Sequence, residues 1–431
     1  MRARTPLILF IILLVLVGIT FYAIKFQEKK ESQEKLFVKL NDKVEKIEID
    51  RKDGTKVVFE KEGARWMMRK PKNVEADDYV VGRIADEVSE LRYERLVEER
   101  TADLKKYGLL KPEVTLKIWE KGNQNPYVIK VGDKNPINSD RYAMLEGESR
   151  VVLLSSFFTD LLFKDVMDYR NKKIAKFDES KAKKIEVSGK VNYVLEKIGK
   201  EWYLTKPVKA LANNYKCDDI LYAITGAEAK EFVSDKADEK EKKKYGLDKP
   251  DLKVVVDLGK EKVRFELVKK DENYYLLKGN NIYKVEESLY NSLKKEIKEL
   301  REKRLVRFYS FEVQSIEWKR GKEQFLAVKE KDKWVAKKPF KGELEKTKVE
   351  DFLRNVEDLE AEEFVDNPGK FRPQVVVTFK LEEGKTVTIE LQEKDDKLYG
   401  KDRKLNYLLV FDKKISDIFP EKAEEWKKES E

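Results

Sequence analysis

One segment recurs three times in this chain, and the recurrence limits the folds that the chain can adopt. The copies are Trp66–Pro71, Trp202–Pro207 and Trp334–Pro339, each with proline five residues after tryptophan. An apolar pair follows each copy at a fixed distance: Leu96-Val97, Phe232-Val233 and Phe364-Val365. A period of about 135 residues predicts three tandem domains of similar structure.

The length and charge of the chain agree with such an array. A chain of 431 residues has room for three domains that each bury a core, which makes a single large enzyme fold less expected. Charged residues make up 41% of the chain, but the net charge is only +9 because Lys and Glu alternate. This balance favours a solvated surface and predicts no nucleic-acid partner. The alternative is that local basic runs contact an anionic partner such as lipid headgroups or nucleic acid.

The residue types exclude several kinds of chemistry. The chain has no histidine and one cysteine, Cys217. It therefore cannot form a histidine-dependent triad, a thiolate metal cage or an intramolecular disulfide. We expect no catalytic residues, no cofactor and no metal site, although a Ser/Lys dyad remains formally open.

The N-terminus carries an uncharged segment long enough to cross a bilayer. Leu7–Ile24 would rise about 27 Å as a helix. We predict a transmembrane helix there, a cytoplasmic tip at 1–6 and a stalk at 25–36. A cleaved signal peptide is the alternative, but no small-x-small cleavage site follows. Arg2 and Arg4 favour a cytoplasmic N-terminus and an exported body, anchored once in the bacterial cytoplasmic (inner) membrane.

Each repeat reads as strands, a helix, more strands and a short helix. Strand alternation precedes and follows the tryptophan, and proline ends its strand. Apolar residues recur 15, 18, 19, 22 and 25 positions after each tryptophan, which predicts one buried helix face. These residues are Val81, Ile84, Ala85, Val88 and Leu91; Cys217, Ile220, Leu221, Ile224 and Ala227; and Val349, Phe352, Leu353, Val356 and Leu359. Cys217 is therefore predicted to be a small buried hydrophobe.

A second motif marks a turn in two of the copies. The first copy has Tyr107, Gly108 and Pro112, and the second has Tyr245, Gly246 and Pro250. The third copy shortens the motif to Gly369–Pro373. Glycine and proline at this spacing predict a turn, with the tyrosine packed over it. For both motifs the alternative is an aromatic platform that stacks on a ligand.

Three pairs of neighbouring acids lie at or within the repeated helix. They are Asp77-Asp78, Asp218-Asp219 and Glu350-Asp351. Acids in a first turn stabilise the helix dipole, and this explanation requires no catalysis. Neighbouring residues on a helix also point in different directions, which is unsuitable for an acid and a base acting on one substrate.

The expected fold is α+β. An N-terminal transmembrane helix precedes three tandem repeats, each a mainly antiparallel sheet with one main packing helix and a short C-terminal helix. We place the repeat units at 37–172, 173–308 and 309–425, and a charged tail at 426–431. No Gly/Ser-rich or Pro-rich linker separates the units, so we expect them to pack end to end with limited hinge freedom.

Together, the tryptophan strand, the helix, the apolar pair and the tyrosine turn behind a membrane helix resemble a bacterial family, domain of unknown function 4340. The resemblance covers most of residues 37–306, and the third copy departs from it at Phe371–Pro373. Members of that family are often accessory membrane proteins of ABC-type export systems of the gliding-motility type. The resemblance implies a class of partner and supplies no catalytic residues.

The leading hypothesis is a non-enzymatic, membrane-anchored extracytoplasmic scaffold or interaction protein. Its expected partners are envelope proteins, with ABC transporter components among them. The first alternative is a binding module for an envelope glycan or anionic lipid. The second is a hydrolase of unknown type, which would require a deep polar pocket in one repeat that the other repeats lack.

Overall fold

The computed structural model of the protein describes residues 17–18, 20–21, 35–403, 405–420 and 422–428. The chain divides into two compact units, of which the first ends at Lys172 and the second begins at Lys173. The first unit contains one repeat and the second contains two.

The predicted membrane segment falls almost wholly outside the described residues. Of Leu7–Ile24, only Val17, Gly18, Thr20 and Phe21 are described, and these four are helical. The predicted cytoplasmic tip and most of the predicted stalk also lie outside. Within the described ranges, no helix has both the length and the apolar character needed to span a bilayer.

The first repeat contains eleven strands and two α-helices. The strands are β1 (Leu36–Lys39), β2 (Val44–Arg51), β3 (Lys56–Glu62), β4 (Arg65–Lys70), β5 (Val74–Glu75), β6 (Glu90–Arg92), β7 (Arg95–Glu98), β8 (Val114–Glu120), β9 (Tyr127–Lys134), β10 (Arg141–Leu145) and β11 (Val151–Leu154). The helices are α1 (Asp78–Ser89) and α2 (Ser156–Thr159), with 3-10 turns at Leu104–Tyr107, Asp160–Phe163 and Val166–Tyr169.

The second repeat follows the same order of elements. Its strands are β12 (Lys184–Gly189), β13 (Tyr193–Ile198), β14 (Glu201–Lys206), β15 (Ala210–Leu211), β16 (Glu231–Ser234), β17 (Leu252–Asp257), β18 (Lys262–Lys270), β19 (Asn273–Lys278) and β20 (Asn281–Val285). Its helices are α3 (Asn214–Gly226), α4 (Glu239–Lys244), α5 (Glu287–Leu293) and α6 (Ile297–Leu300), with a 3-10 turn at Glu179–Lys181.

The third repeat keeps the sheet and the main helix. Its strands are β21 (Val313–Arg320), β22 (Glu323–Glu330), β23 (Lys333–Lys338), β24 (Gly342–Glu343), β25 (Glu363–Asp366), β26 (Val375–Leu381), β27 (Thr386–Lys394), β28 (Lys397–Asp402) and β29 (Tyr407–Asp412). The helix is α7 (Lys346–Glu357), and 3-10 turns lie at Ser310–Glu312, Glu382–Gly384, Lys413–Ile418 and Ala423–Trp426.

Each repeat forms one nine-stranded sheet, and the strand order is the same in all three. In the first repeat the order is β5-β4-β3-β2-β8-β9-β10-β11-β7, while β1 and β6 form a separate pair. All neighbouring strands are antiparallel. The main helix connects one edge strand to the other and so crosses a face of the sheet. The predicted α+β repeats with mainly antiparallel sheets are confirmed.

Alternation of side chains determines which face of each central strand is buried. In β8, Val114, Leu116 and Ile118 are buried, while Thr115 and Lys117 between them are only partly covered. Side chains on a strand alternate between the two faces of the sheet, so this pattern directs one face into the core.

In each main helix, four of the five residues predicted to form the apolar stripe are buried. On α1 these are Val81, Ile84, Ala85 and Val88, and the equivalent residues of α3 and α7 are also buried. The fifth position lies beyond the helix in every repeat: Leu91 is in β6, and Ala227 and Leu359 follow α3 and α7. Each helix is therefore shorter than the stripe predicts.

The described side chains form two large cores. One lies within the first repeat, and the other runs continuously through the second and third repeats. A smaller cluster covers the opposite face of the first sheet: neighbours Ala143 and Met144 on β10 point to opposite faces and belong to different clusters. The second sheet has a matching small cluster around Leu247 and Val268.

The second and third repeats are joined by packed residues. Leu305 and Phe308, between the two sheets, are buried in their shared core. Arg301 is also buried, and its guanidinium lies 3.9 Å from the ring centroid of Phe364. The same group forms an ion pair at 2.9 Å with Asp366 of the third repeat.

Part of the predicted C-terminal tail is packed into the third repeat. Trp426, the first residue of the predicted charged tail, is buried. Its ring lies 4.9 Å from Phe352 on α7 and 5.2 Å from Phe325 on β22. Trp426 therefore completes the core of the third repeat. Its backbone carbonyl accepts a hydrogen bond from the residue just before the main helix, and the carbonyls of Tyr169 and Leu300 do the same in the first and second repeats.

Candidate functional site

The tryptophan-proline motif is a buried anchor next to an exposed turn. The indoles of Trp66, Trp202 and Trp334 are 2%, 1% and 2% exposed. Their strands β4, β14 and β23 end at the lysine before the proline, and that lysine-proline peptide bond is cis in each repeat. Pro71, Pro207 and Pro339 are exposed. Because the indoles lie inside the cores, they cannot form a surface platform for a ligand.

Hydrogen bonds connect the tryptophan strand to the start of the main helix. The Trp66 backbone N–H donates to Asp78 Oδ1 at 2.7 Å, and the Trp202 N–H donates to Asn214 Oδ1 at 2.9 Å. The third repeat has Lys346 at this position, and an ammonium group cannot accept a hydrogen bond. The motif therefore fixes a strand against a helix in the first two repeats.

The tyrosine turn packs against the second face of its sheet. Tyr107 lies 4.8 Å from Tyr142, and Tyr245 lies 4.9 Å from Tyr275, between ring centroids. Gly108 adopts a φ of 68°, a left-handed conformation that glycine adopts at low cost.

The equivalent glycine of the second repeat, Gly246, has a φ of 78°. Pro112 and Pro250 are half-buried just ahead of β8 and β17. In the third repeat, described residues 367–374 contain no helical turn, and the Phe371 ring lies 5.2 Å from the Lys401 ammonium.

The hydroxyl of Tyr107 is engaged within the fold. It donates to Glu98, and burial raises the pKa of Tyr107. The hydrogen bond from Tyr107 in turn lowers the pKa of the Glu98 carboxyl. The Tyr107 ring packs against Tyr142 and its hydroxyl donates to Glu98, so the face of the ring is not open for stacking on a sugar or base.

The paired acids do not occupy one repeated position. Asp77 caps α1, where its Oδ1 accepts the N–H groups of Tyr79 and Val80. Asp218 and Asp219 instead lie in the second turn of α3, and Glu350-Asp351 lies in the second turn of α7. All three pairs lie just before or within the main helix, but stabilisation of the helix dipole from a first turn applies only to Asp77-Asp78. The spacing from tryptophan aligns Asp77-Asp78 with Asn213-Asn214.

Cys217 is buried on α3 among the apolar stripe. Burial raises the pKa of its thiol, and the nearby Asp218 carboxylate raises it further. Thiolate is the nucleophilic form, so this environment disfavours reactivity.

Other charged groups pair across the sheet surface. Burial opposes ionisation of Glu48, but hydrogen bonds from Lys117 and Lys56 lower its pKa to about 2. Across the described residues, no group of three or more Asp, Glu, Cys or His side chains is placed to hold a metal ion.

Comparison with protein families identifies the repeat. A family model, Domain of unknown function (DUF4340), matches residues 66–200 and 202–383. The chain belongs to this family. Both matched segments begin at a motif tryptophan, on the fourth strand of the first repeat or the third strand of the second, after the repeat has already begun. One copy of the DUF4340 model therefore combines parts of two folded repeats. The match also extends into the third repeat, beyond the residues that carry the sequence resemblance. Among curated proteins, no match to the chain is found.

The third repeat of this DUF4340 protein has an open pocket of about 460 Å³. Its lining includes Trp318, Lys322, Lys338 and Pro339. The first and second repeats have Ile49 and Val187 where the third has Trp318. The spacing rules that locate buried positions give no reason to single out this tryptophan.

The first repeat presents an exposed cluster that the sequence patterns did not identify. The guanidinium of Arg83 lies 4.4 Å from the ring centroid of Phe157 and 5.9 Å from that of Tyr79. Phe157 is on α2 and distant in sequence, so only the fold brings it to α1. A residue-by-residue alignment of the repeats would have flagged Arg83, because the other repeats have aspartate there.

Proposed function

We propose that this DUF4340 protein is a non-enzymatic, membrane-anchored extracytoplasmic scaffold that binds other envelope proteins. The observation that carries the proposal is one strand order repeated in three consecutive nine-stranded sheets. Repeated domains present several related surfaces along one chain, which suits a protein that holds partners near each other. The family resemblance suggests components of an ABC-type export system as the partner class.

The fate of the candidate reactive groups supports this proposal. Cys217 and the motif tryptophans are buried, and Asp77 and Asp78 are used in capping and in fixing the tryptophan strand. A hydrolase needs a nucleophile and a base within hydrogen-bond reach of each other and of substrate. None of the residues that the sequence motifs single out has that arrangement.

The anchor and the orientation are part of the proposal. Leu7–Ile24 is proposed to cross the cytoplasmic membrane once, leaving the repeats outside. A phosphatase reporter fused after Glu431 should be active, because this enzyme requires an exported, oxidising location. A fusion active only with a cytoplasmic reporter would show the opposite orientation.

Cross-linking in native membranes followed by mass spectrometry tests the scaffold function. The full chain is compared with a control that carries only residues 1–36, so that proteins captured by the anchor are subtracted. We expect the full chain to form cross-links from its repeats to at least one specific envelope protein. Recovery of the same proteins by the full chain and by the anchor control would contradict the proposal.

The pocket of the third repeat favours a second candidate function, binding of an envelope glycan or anionic lipid. Pro339 offers exposed apolar surface above the buried Trp318, and Lys322 and Lys338 offer positive charge. Replacing Lys322 by glutamate should weaken glycan pull-down or liposome flotation if this pocket binds such a ligand. Equal binding by Lys322→Glu and the natural chain would exclude the pocket.

A further inference from the structure

Two exposed aromatic rings and one arginine form a patch on the first repeat, hereafter the arginine patch: Tyr79, Arg83 and Phe157. The two rings are among the most exposed large apolar side chains described, with Tyr79 73% and Phe157 64% exposed. Arg83 is half-buried because it lies against them. The arrangement places a half-buried cation beside two exposed rings.

The repeated fold does not require this patch. The positions of Gly82 and Arg83 on α1 are occupied by Asp218-Asp219 on α3 and by Glu350-Asp351 on α7. Phe157 on α2 is replaced by Ser288 at the same position of α5. The same helix face is therefore acidic in two repeats and carries a cation in the first. Because the other two repeats fold without these residues, Gly82, Arg83 and Phe157 are available for a role other than folding.

The guanidinium of Arg83 has no acidic partner among the residues that the structure describes. Among the described residues it forms neither a hydrogen bond nor an ion pair, although Asp86 and Glu87 follow one turn later on α1. Guanidinium groups bind carboxylates through two parallel hydrogen bonds, and flanking rings add apolar contact. The unpaired charge therefore complements a carboxylate.

The surface beside Arg83 is open to another backbone. A Cβ atom placed on Gly82 would meet no atom within 4 Å. Glycine in the interior of a helix costs about 1 kcal/mol relative to alanine, and no internal contact explains it here. Residues 79, 82, 83 and 86 share one helix face, so Gly82 leaves a shallow gap between the tyrosine and the arginine.

We propose that the arginine patch docks a mostly apolar segment of a partner protein, with a single partner carboxylate on Arg83 and neighbouring apolar side chains on Tyr79 and Phe157. The inference rests on the proposed scaffold function and specifies one of its binding surfaces. Anionic membrane surfaces are bound by clusters of several basic residues. Here the surrounding residues Asp86 and Glu87 are acidic, which favours a single carboxylate over a lipid surface.

Peptide binding to the full chain in nanodiscs tests the proposal. The probe is a fluorescent leucine- and serine-rich peptide that carries one glutamate, and its partner probe has glutamine in place of that glutamate. We expect the glutamate peptide to bind at least about tenfold more tightly, as the loss of a charge-assisted hydrogen bond predicts. Arg83→Asp should weaken binding of the glutamate peptide by a similar factor.

Two controls separate binding from folding. Arg83→Gln removes the charge without adding an acid beside Asp86 and Glu87, so it should weaken binding of the glutamate peptide similarly while its thermal unfolding midpoint stays close to that of the natural chain. Tyr215→Ala removes the exposed tyrosine at the position equivalent to Tyr79 and should leave peptide binding unchanged.

Three results would overturn the proposal: equal binding of the two peptides, full binding by Arg83→Asp, or Arg83-dependent binding of phosphatidylglycerol vesicles without peptide binding. The scaffold function has its own test, since envelope cross-links that survive Arg83→Asp would leave it standing while rejecting this surface.

Discussion

Comparison of equivalent residues in the three repeats shows which side-chain properties the fold requires and which substitutions it tolerates. Fifteen residues after the tryptophan, the chain has Val81, Cys217 and Val349, and all three are buried on the main helix. The requirement at this position is a small apolar side chain, and the thiol satisfies it. At Glu48 the requirement is instead a negative charge, because its carboxylate forms ion pairs with Lys56 and Lys117 on the sheet surface.

Cys217→Val should leave stability almost unchanged, within about 1 kcal/mol, because it is a near-isosteric apolar replacement already present in the other repeats. Cys217→Ser should cost about 1–3 kcal/mol because it buries a hydroxyl group. Urea unfolding followed by tryptophan fluorescence measures both. In the native chain, the thiol should resist a disulfide reagent at pH 8 and react only after denaturation; rapid labelling of the folded chain would refute its burial.

Glu48 should stabilise the fold at neutral pH and lose this effect in acid. Its pKa in the folded chain, about 2, lies below the ordinary value of 4.5, so the contribution is full above pH 4.5 and disappears as the pH falls through 2. Glu48→Gln should lower the free energy of unfolding by about 1 kcal/mol at pH 7, after allowance for solvent screening.

The difference between Glu48→Gln and the natural chain should close toward pH 2. Glu45→Gln, an exposed change on the same strand, is the matched control and should have little effect at any pH. A Glu48→Gln difference that stays constant from pH 7 to pH 2 would contradict the assigned ion pairs.

At the scale of elements, the turns before β8 and β17 share a motif but differ in their surroundings. A Cβ on Gly108 would lie 2.5 Å from Asp133 Cγ, whereas one on Gly246 would lie 3.5 Å from Val268. Both glycines have left-handed backbone conformations. The turn sequence therefore determines the backbone conformation, while the neighbouring strand determines how much space a side chain at the glycine position would have.

Gly246→Ala should cost about 1–2 kcal/mol for the left-handed conformation alone. Gly108→Ala should cost more, because Asp133 must also move. Thermal unfolding of the two variants provides the comparison, and Gly63→Ala at a left-handed turn with open space is the control for conformational cost. Equal destabilisation by Gly108→Ala and Gly246→Ala would show that the contact with Asp133 is unimportant.

Sequence patterns predicted those elements whose determinants are local. The helix stripe, the strand that ends before proline and the turn glycines follow from periodicity and backbone chemistry, and the structure places them accordingly. The patterns overestimated the length of the main helices because Leu91 and Leu359 remain buried, and Ala227 half-buried, after the helix ends. They missed the arginine patch because Phe157 reaches Arg83 only through the fold.

At the scale of the whole molecule, the second and third repeats are coupled by a buried arginine. Arg301 ends one repeat, and its guanidinium lies between Phe364 and Tyr407 of the next, at 3.9 Å and 4.5 Å from their ring centroids. Asp366 supplies the opposite charge. No periodicity in the sequence indicates this contact, because it joins residues of different repeats.

Asp366→Asn should destabilise the second compact unit by about 1–2 kcal/mol, because the buried Arg301 loses a counterion that is itself partly screened by solvent. Urea unfolding of the full chain, followed by tryptophan fluorescence, should show an earlier transition. Asp396→Asn, which breaks an exposed ion pair with Lys413, is the control and should change stability by less than about 1 kcal/mol. Similar midpoints for the two variants would argue against a coupling role for Arg301.

The central claim is that three stretches of this chain form one fold with one strand order, and hydrogen exchange measured by mass spectrometry tests it most directly. Interior strands of a sheet exchange more slowly than its edges. We predict the slowest exchange in Val44–Arg51, Lys184–Gly189 and Val313–Arg320, with faster exchange in the edge strands Val74–Glu75, Ala210–Leu211 and Gly342–Glu343. A repeat whose central strand exchanges as fast as its edge strands would contradict the claim.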